Sequence, residues 1–303
     1  MTKSRESFGT LLALAAAITS GISTFLNKIF IVSLDPLIFT ATRAIFLGGI
    51  FFVLSLYKSR WDIRSFKKIP WKYLVAIGFV GGGLAFFLFF SGLKLTTSGR
   101  AAFLQRTLPL YVTVFAFLFL KEKIGKKQIF ALLLMLIGTV ILSSAEITPS
   151  ELWSNPHLGD VLVISATVLW AVENTISKKA MVLGENNFIV SFGRMFFGAL
   201  FLFGTAVIFN KVYLLSSVTA MQWLYILIST AALFVYVLSY YWSMKHINVS
   251  KASTILSLSP IITLLLGVSF LKESALSMQI FGSIVILVGA CLVCRIKSEL
   301  SKT

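Results

Sequence analysis

Charged side chains are scarce in this chain of 303 residues, where 13% of the residues are charged and 57% are apolar. Soluble domains carry about 25% charged residues, so this composition excludes an ordinary soluble protein. Histidine is rarer still: His157 and His246, both in predicted loops, are the two in the chain. There is no HExxH-type metal site, glycine-rich phosphate loop or acyl-transfer triad. The sequence therefore predicts no bound metal and no cofactor.

Cysteine is limited to Cys291 and Cys294, which form a lone CxxC inside the last apolar stretch. A zinc or redox site would need a second pair of ligands or a suitable fold around the motif. The two thiols lie three residues apart on one predicted helix. We interpret them as packing residues.

Long apolar stretches are abundant, and the mean hydropathy is +0.92. Stretches of about 20 residues recur along the whole chain, and each can cross the hydrocarbon core of a bilayer. They are too long and too uniformly apolar for barrel strands, so they predict membrane-spanning helices. The ten predicted spans are residues 8–28, 36–57, 71–93, 99–120, 128–144, 159–179, 187–209, 220–243, 250–271 and 277–295.

The formal net charge of +16 comes mainly from basic residues in the loops on one side of the predicted spans. By the positive-inside rule, this side is cytoplasmic and holds both termini. The sequence thus predicts a multi-pass protein of the cell membrane with the lipid bilayer as its environment. Since no contiguous basic surface is present, no nucleic-acid partner is expected.

One stretch of the chain occurs twice, 151 residues apart. Residues 108–123 read LPLYVTVFAFLFLKEK and residues 259–274 read SPIITLLLGVSFLKES, so that Pro109 matches Pro260. Because each half contains five spans, an odd number, the second copy must cross the membrane in the opposite direction. The prediction is an all-α membrane protein of ten transmembrane helices, arranged as two inverted five-helix repeats around a central cavity. The repeats are predicted to comprise residues 1–148 and 149–303.

These residues resemble the EamA repeats of the drug/metabolite transporter superfamily. The resemblance rests on the proline in the fourth span, the L-K-E ending, an arginine in the second span of each half, and TVLWAVENTISKKAM in the sixth span. It implies a cavity formed by helices 1–4 and 6–9, with helices 5 and 10 at the periphery. It also implies transport of amino acids or other small metabolites, and in distant branches of sugar phosphates or nucleotide sugars. The family usually has glycine where Lys121 and Lys272 stand.

The first helix of each half carries a polar stripe at spacing i, i+3, i+4, i+7, which places four residues on one face. Two such faces in opposite halves predict the walls of a substrate cavity, although Ser, Thr and Asn can also join helices by hydrogen bonds. The stripes consist of Ser20, Ser23, Thr24 and Asn27 in the first half, and of Trp170, Glu173, Asn174 and Ser177 in the second.

Four charges fall inside predicted spans, where each must find a partner or a polar cavity. At 1.5 Å per residue, Glu173 and Arg194 are nearly level on neighbouring helices, so we predict that they pair. The pair is either structural, or Glu173 is a proton-coupled or substrate-responsive carboxylate. Arg43 and Arg106 have no acid at a matching position, so one of them is predicted to bind an anionic group of the substrate. The alternatives are bonds to backbone carbonyls or snorkelling.

Other candidate positions follow from the repeat and from aromatic residues. Gln105 precedes Arg106, and Ser257 occupies the position of Arg106 in the second half. Pro109 and Pro260 each remove a backbone hydrogen bond, which makes them candidate hinges or static kinks. Among the aromatic residues, which mostly indicate packing, Trp170 and Tyr240 are the candidates for substrate contact.

The sequence favours a secondary transporter, most simply an exporter of small organic metabolites such as amino acids, that works by alternating access. The alternative within transport is an exchanger of anionic or phosphorylated metabolites, and outside transport a non-transporting accessory membrane protein. An enzyme is not expected, because only Glu173 lies deep in a span and catalysis would require paired acids or a nucleophile with a base. The oligomeric state does not follow from the sequence.

Overall fold

The computed structural model describes residues 3–31, 34–60, 70–144, 157–183 and 185–297. These residues form ten helices that are long and apolar enough to cross a membrane, which confirms the predicted spans. The protein is an integral, multi-pass membrane protein. Its helices are α1 (Lys3–Phe30), α2 (Pro36–Lys58), α3 (Trp71–Leu93), α4 (Ser98–Leu120), α5 (Lys126–Ser143), α6 (Leu158–Val182), α7 (Asn187–Ile208), α8 (Ala220–His246), α9 (Val249–Leu271) and α10 (Ser277–Arg295).

The two halves are inverted relative to each other. We call the end of the bundle at which α1 begins and α10 ends the proximal end, and the opposite end the distal end. At the proximal end, Lys251 near the start of α9 lies 3.3 Å from Glu6 of α1 and donates to the carbonyl of Ile296. At the distal end, Arg100 near the start of α4 pairs with Asp160 near the start of α6. Thus α1 starts proximally and its counterpart α6 starts distally.

Helices α4 and α9 are each interrupted at the same point of the repeat. The first consists of Ser98–Gln105 and Leu108–Leu120, and the second of Val249–Leu256 and Ser259–Leu271. Pro109 and Pro260 lie in the first turn of the second segments, where a missing amide hydrogen costs no helical hydrogen bond. The repeated prolines therefore coincide with breaks in the helices. Their role as hinges stays a prediction.

Both L-K-E motifs end their helices in the same way. Lys121 and Lys272 adopt left-handed backbone conformations with φ of 51° and 55°. The next amide reaches back across the turn, from Glu122 to the Ala116 carbonyl and from Glu273 to the Gly267 carbonyl. Glycine is favoured in this conformation because it has no Cβ. This geometry explains why glycine suits the position that lysine occupies here.

Helix α3 contains a π-helical segment, Gly78–Leu84, between two α-helical segments. Its glycines allow an unusually close approach to α6 and α7. A Cβ on Gly81 would lie 2.1 Å from Cγ of Glu173, and one on Gly82 would lie 2.2 Å from the Arg194 carbonyl oxygen. Such π segments are frequent at functional sites. Here the segment brings the backbone of α3 against the two charged residues.

Helices α5 and α10 pack against each other. Their contact uses small residues: Gly138 meets Gly282 and Ile286, and Gly289 meets Met135. Small residues at membrane helix interfaces let the backbones approach closely. Among the other helices, α1 packs on α8 and α2 packs on α7.

Candidate substrate site

A cavity of about 210 Å³ lies in the middle of the bundle between helices α1–α4 and α6–α8. Both halves of the chain contribute to its wall, and most of its polar groups come from α1, α2 and α6. The lining residues are Ser20, Ser23, Thr24, Asn27, Thr40, Arg43, Ala44, Gly82, Phe86, Gln105, Leu108, Trp170, Asn174, Arg194, Met195, Leu233, Tyr236 and Val237. We call this space the first lobe.

A second lobe, also of about 210 Å³, lies at the breaks in α4 and α9. Residues from α1, α4 and α8 line both lobes, so the two spaces adjoin, and α5 and α9 complete the second wall. The shared residues are Ser20, Thr24, Gln105, Leu108 and Tyr236. The second lobe adds Ala102, Arg106, Pro109, Thr139, Ser253, Leu256, Ser257, Ser259, Pro260 and Thr263.

Most of the predicted site residues face one of the two lobes. The exceptions are three residues that lie behind the lining, namely Glu173, Ser177 and Tyr240. All four residues of the first stripe line the first lobe. In the second stripe, Trp170 and Asn174 line the lobe, whereas Ser177 donates a 2.7 Å hydrogen bond to Glu173. The second stripe therefore supplies both cavity wall and internal helix contacts.

The predicted pairing of Glu173 with Arg194 is confirmed, with Oε2 of Glu173 3.6 Å from NH1 of Arg194. Tyr241 of α8 joins the pair, since its hydroxyl donates to Oε1 of Glu173 and accepts from Arg194 at 3.1 Å. Glu173 is fully buried. The sequence pattern did not reveal Tyr241, because it comes from a helix far along the chain.

Arg43 has neutral partners in place of a carboxylate. Its NH1 group donates to Oδ1 of Asn27 at 3.0 Å and to Oγ of Ser229 at 2.7 Å. The guanidinium also lies 4.1 Å from the ring centre of Phe39. Its Nε is buried without a hydrogen-bond acceptor. Among the described residues, no carboxylate forms an ion pair with Arg43, so the wall of the first lobe holds a positive charge that no acid neutralises.

Arg106 faces the second lobe at the break in α4. Its NH1 group donates to Oγ of Ser143 at the end of α5, with a distance of 2.9 Å. The equivalent residue in the second half, Ser257, lines the same lobe. The two arginines that the sequence singled out thus belong to adjoining parts of one cavity.

Aromatic rings form the apolar part of the first lobe. Trp170 donates its indole N–H to the Gly81 carbonyl at 3.0 Å and meets Phe86 edge-on, with 5.1 Å between ring centres. The sequence singled out Tyr240, but this residue is buried and stacks on Tyr236, which is the tyrosine that lines the cavity. The two tyrosines are one helical turn apart, and a one-turn difference in depth cannot be read from the spacing.

Several charged residues near the ends of spans are buried, which the sequence did not predict. Nε of Arg100 donates to Oδ1 of Asp160 at 3.2 Å. The hydroxyl of Thr96 donates to the same oxygen at 2.6 Å. Lys178 and Glu122 are also buried. Their positions within a turn of the helix ends gave no signal of burial, because such residues usually reach solvent.

The sequence profile of the EamA-like transporter family matches residues 7–144 and again residues 157–295. The chain belongs to the EamA-like transporter family. Each match covers five of the helices described above. The expected resemblance to EamA repeats is thereby confirmed, and the family to which the chain belongs is one of transporters.

Relatives of this EamA-like protein include two uncharacterized transporters of Bacillus subtilis. YyaM is 23% identical, with 92% of this chain and 91% of YyaM covered. YoaV is 26% identical, with 88% and 87% covered. An uncharacterized transporter of Archaeoglobus fulgidus is also 26% identical, with 93% of this chain and 84% of the relative covered. A solved crystal structure of a protein 20% identical in sequence superposes with a TM-score of 0.75 over 94% of this chain and 95% of its own, which supports the fold.

Proposed function

We propose that the protein is a secondary transporter that exports small organic metabolites, with amino acids as the first class to test. The two inverted repeats, taken as residues 1–148 and 149–303, alternately expose the central cavity to the two sides of the cell membrane. The proximal end, with both termini, is the cytoplasmic end. The observation that carries this proposal is the polar cavity in mid-bundle, built from both halves and adjoining two interrupted helices, as in other transporters built from inverted repeats.

The charge of Arg43 supports recognition of an anionic group such as a carboxylate. Arg194, by contrast, is neutralised by Glu173 at 3.6 Å. A guanidinium without a carboxylate partner gains most from an anionic ligand, because hydrogen bonds between charged groups are the strong ones. Asn174 lines the same lobe, and its Oδ1 is buried without a donor. This oxygen is a candidate acceptor for an ammonium group of the substrate.

The second candidate function is exchange of anionic or phosphorylated metabolites. It is favoured by the position of Arg106 in the adjoining lobe, which would give a dianionic substrate a second basic contact. In either case, the energy for transport would come from a solute or ion gradient.

Solute flux in proteoliposomes tests the proposal. We expect uptake of a labelled amino acid mixture above that of empty vesicles, with competition by carboxylates. Competition by phosphate esters alone would instead support the exchanger. Arg43→Gln should raise the apparent KM at least tenfold, because a hydrogen bond to a charged group contributes about 1.5–3 kcal/mol. Lys94→Gln removes an exposed charge at the distal end and should leave the KM unchanged.

Two results would each contradict one part of the proposal. Absence of flux for every solute class tested would indicate an accessory membrane protein. An unchanged KM in both Arg43→Gln and Arg106→Gln would exclude the arginines as the anion-binding groups, while leaving transport itself intact.

A further inference from the structure

The glutamates of the two L-K-E motifs occupy equivalent positions but make different contacts. Glu122 is buried and reaches the start of α9. Its Oε1 accepts from the amide of Val249 at 2.8 Å, and its Oε2 accepts from the amide and the hydroxyl of Ser250 at 3.3 and 2.6 Å. A carboxylate at the first amides of a helix is stabilised by the helix dipole. Glu122 therefore joins the end of α4 to the start of α9.

A lysine binds the other side of the turn between α8 and α9. Nζ of Lys178 donates to the carbonyl of Met244, in the last turn of α8, and to that of Ile247 at 3.0 Å. A positive charge is favourable at the carbonyl end of a helix. Lys178 also interacts electrostatically with Glu122. We call Lys178 and Glu122 the proximal pair; it binds the turn between α8 and α9 from both sides.

The equivalent residues at the distal end are Lys28 and Glu273, which we call the distal pair. They contact each other, with Nζ of Lys28 2.5 Å from Oε1 of Glu273, and their side chains are 54% and 42% exposed. The offset of 151 residues between the two copies predicts which groups they would bind. These are the carbonyls of Leu93 and Thr96 and the amides of residues 98 and 99. Within the described parts of the chain, no hydrogen bond joins the distal pair to this turn between α3 and α4.

The packing around α4 and α9 also differs between the two ends, and it too is tighter at the proximal end. The first segment of α9 packs against the second segment of α4 at the proximal end. Val112, in the second segment of α4, is fully buried. Its counterpart Thr263 lines the second lobe toward the distal end. The structure thus combines a closed proximal end with a more open distal end.

We propose that the two pairs are alternating latches, an inference that rests on the proposed alternating-access function. When the distal end closes, Lys28 and Glu273 separate and bind the α3–α4 turn. Lys28 then donates to the carbonyls of Leu93 and Thr96, and Glu273 accepts from the amides of Ser98 and Gly99. At the same time, the proximal pair releases the α8–α9 turn.

The energetics suit a reversible exchange. An exposed ion pair such as Lys28 with Glu273 contributes little stability, so separating it costs little. Docking each charge at a helix end offsets that cost through hydrogen bonds and the helix dipole. The N-cap residue Thr97 accepts from the amide of Arg100, one residue beyond the two amides that Glu273 would bind. The start of α4 can therefore receive a carboxylate without losing its own cap.

Mirror-related cysteine reporters test the proposal without knowledge of the substrate. In a Cys291→Ser, Cys294→Ser background, Thr263→Cys reports on distal opening and Val112→Cys on proximal opening. Each is labelled with a hydrophilic maleimide in detergent, and the rate is compared with that in denaturant. In the parent protein, Thr263→Cys should react at least tenfold faster than Val112→Cys.

The same substitution at the two glutamates should act in opposite directions. Glu122→Gln should slow labelling of Thr263→Cys about tenfold and accelerate labelling of Val112→Cys, because hydrogen bonds to a charged group are lost. Adding Glu273→Gln to Glu122→Gln should return both rates toward those of the parent. Lys178→Gln and Lys28→Gln should reproduce this pattern. Glu185→Gln, outside both pairs, should change neither rate.

Rate changes in the same direction for Glu122→Gln and Glu273→Gln would overturn the proposal, because they would indicate loss of packing and not a shift between two states. The same conclusion follows if Glu273→Gln fails to reverse the effect of Glu122→Gln. Opposite shifts without any solute flux would support the latches and contradict transport. Flux without opposite shifts would support transport and contradict the latches.

Discussion

The carboxylate of Glu173 lies 3.6 Å from the guanidinium of Arg194, and the Tyr241 hydroxyl is hydrogen-bonded to both. Charges inside a membrane-spanning bundle are tolerated when they are paired. The tyrosine hydroxyl thus gives both charged side chains a hydrogen-bond partner. This three-residue group fixes α6, α7 and α8 to one another beside the first lobe.

The first prediction concerns the charge of Glu173. Glu173→Gln should reduce the free energy of unfolding by about 3–5 kcal/mol, because it leaves Arg194 buried without a counter-charge. Thermal unfolding of the purified protein measures the loss. Glu185→Gln is the control, since Glu185 lies in the loop between α6 and α7. An equal Tm for the two variants would show that the pair contributes nothing to stability.

The same variant separates the two roles left open for this pair. If Glu173 couples transport to protons, Glu173→Gln should abolish the pH dependence of flux. If the pair is structural, the flux should keep its pH dependence, although less of the protein should be folded. Unchanged pH dependence per folded molecule would exclude the coupling role.

The Glu173–Arg194 pair could be predicted because helical rise sets the depth of both residues in a hairpin of adjacent helices. Tyr241 could not, since it lies 47 residues from Arg194 and its approach depends on how α8 packs. The π-helical segment of α3 could not be predicted, for a related reason. Glycines allow close helix packing, but only the partners Glu173 and Arg194 determine where the backbone must approach.

The second prediction concerns Gly81. Gly81→Ala should destabilise the protein by about 1–3 kcal/mol or more, because the added methyl group would lie 2.1 Å from Cγ of Glu173 and overpacking strains a close-packed core. Gly49→Ala is the matched control, since nothing lies within 4 Å of its added Cβ. Alanine is the better helix former, so this variant should be neutral or stabilised by up to about 1 kcal/mol. A lower Tm for Gly49→Ala than for Gly81→Ala would refute the packing argument.

The third prediction concerns the helix ends at Lys121 and Lys272. Lys121→Gly and Lys272→Gly should each raise stability by about 1 kcal/mol, because glycine removes the Cβ clash of the left-handed conformation. Both side chains are exposed, so little packing is lost. Lys126→Gly, at the first position of α5 after the N-cap, relieves no left-handed backbone and should therefore not raise stability. Chemical unfolding measures all three, and destabilisation by all of them would contradict the backbone argument.

The L-K-E repeat predicts the two inverted halves but not the conformation that the bundle adopts. Its two copies establish the inverted halves, because the offset and the odd number of spans are properties of the sequence itself. The repeat cannot show that Glu122 is bound to a helix start while Glu273 is bound to Lys28, because one sequence pattern fits both states. That difference belongs to the conformation of the bundle.

The last prediction compares one substitution at two ion pairs of the distal end. Asp160 is buried and binds both Arg100 and Thr96, whereas Asp35 pairs with Lys211, whose side chain is 29% exposed. Asp160→Asn should cost about 3–5 kcal/mol, since it removes one partner of a buried ion pair. Asp35→Asn should cost less than about 1 kcal/mol, because that pair is partly solvated and asparagine still caps α2 as aspartate does. If the Tm of the two variants falls equally, burial does not determine the contribution of these pairs. If Asp160→Asn alone is strongly destabilised, the pair missed by the sequence is one that fixes α4 to α6.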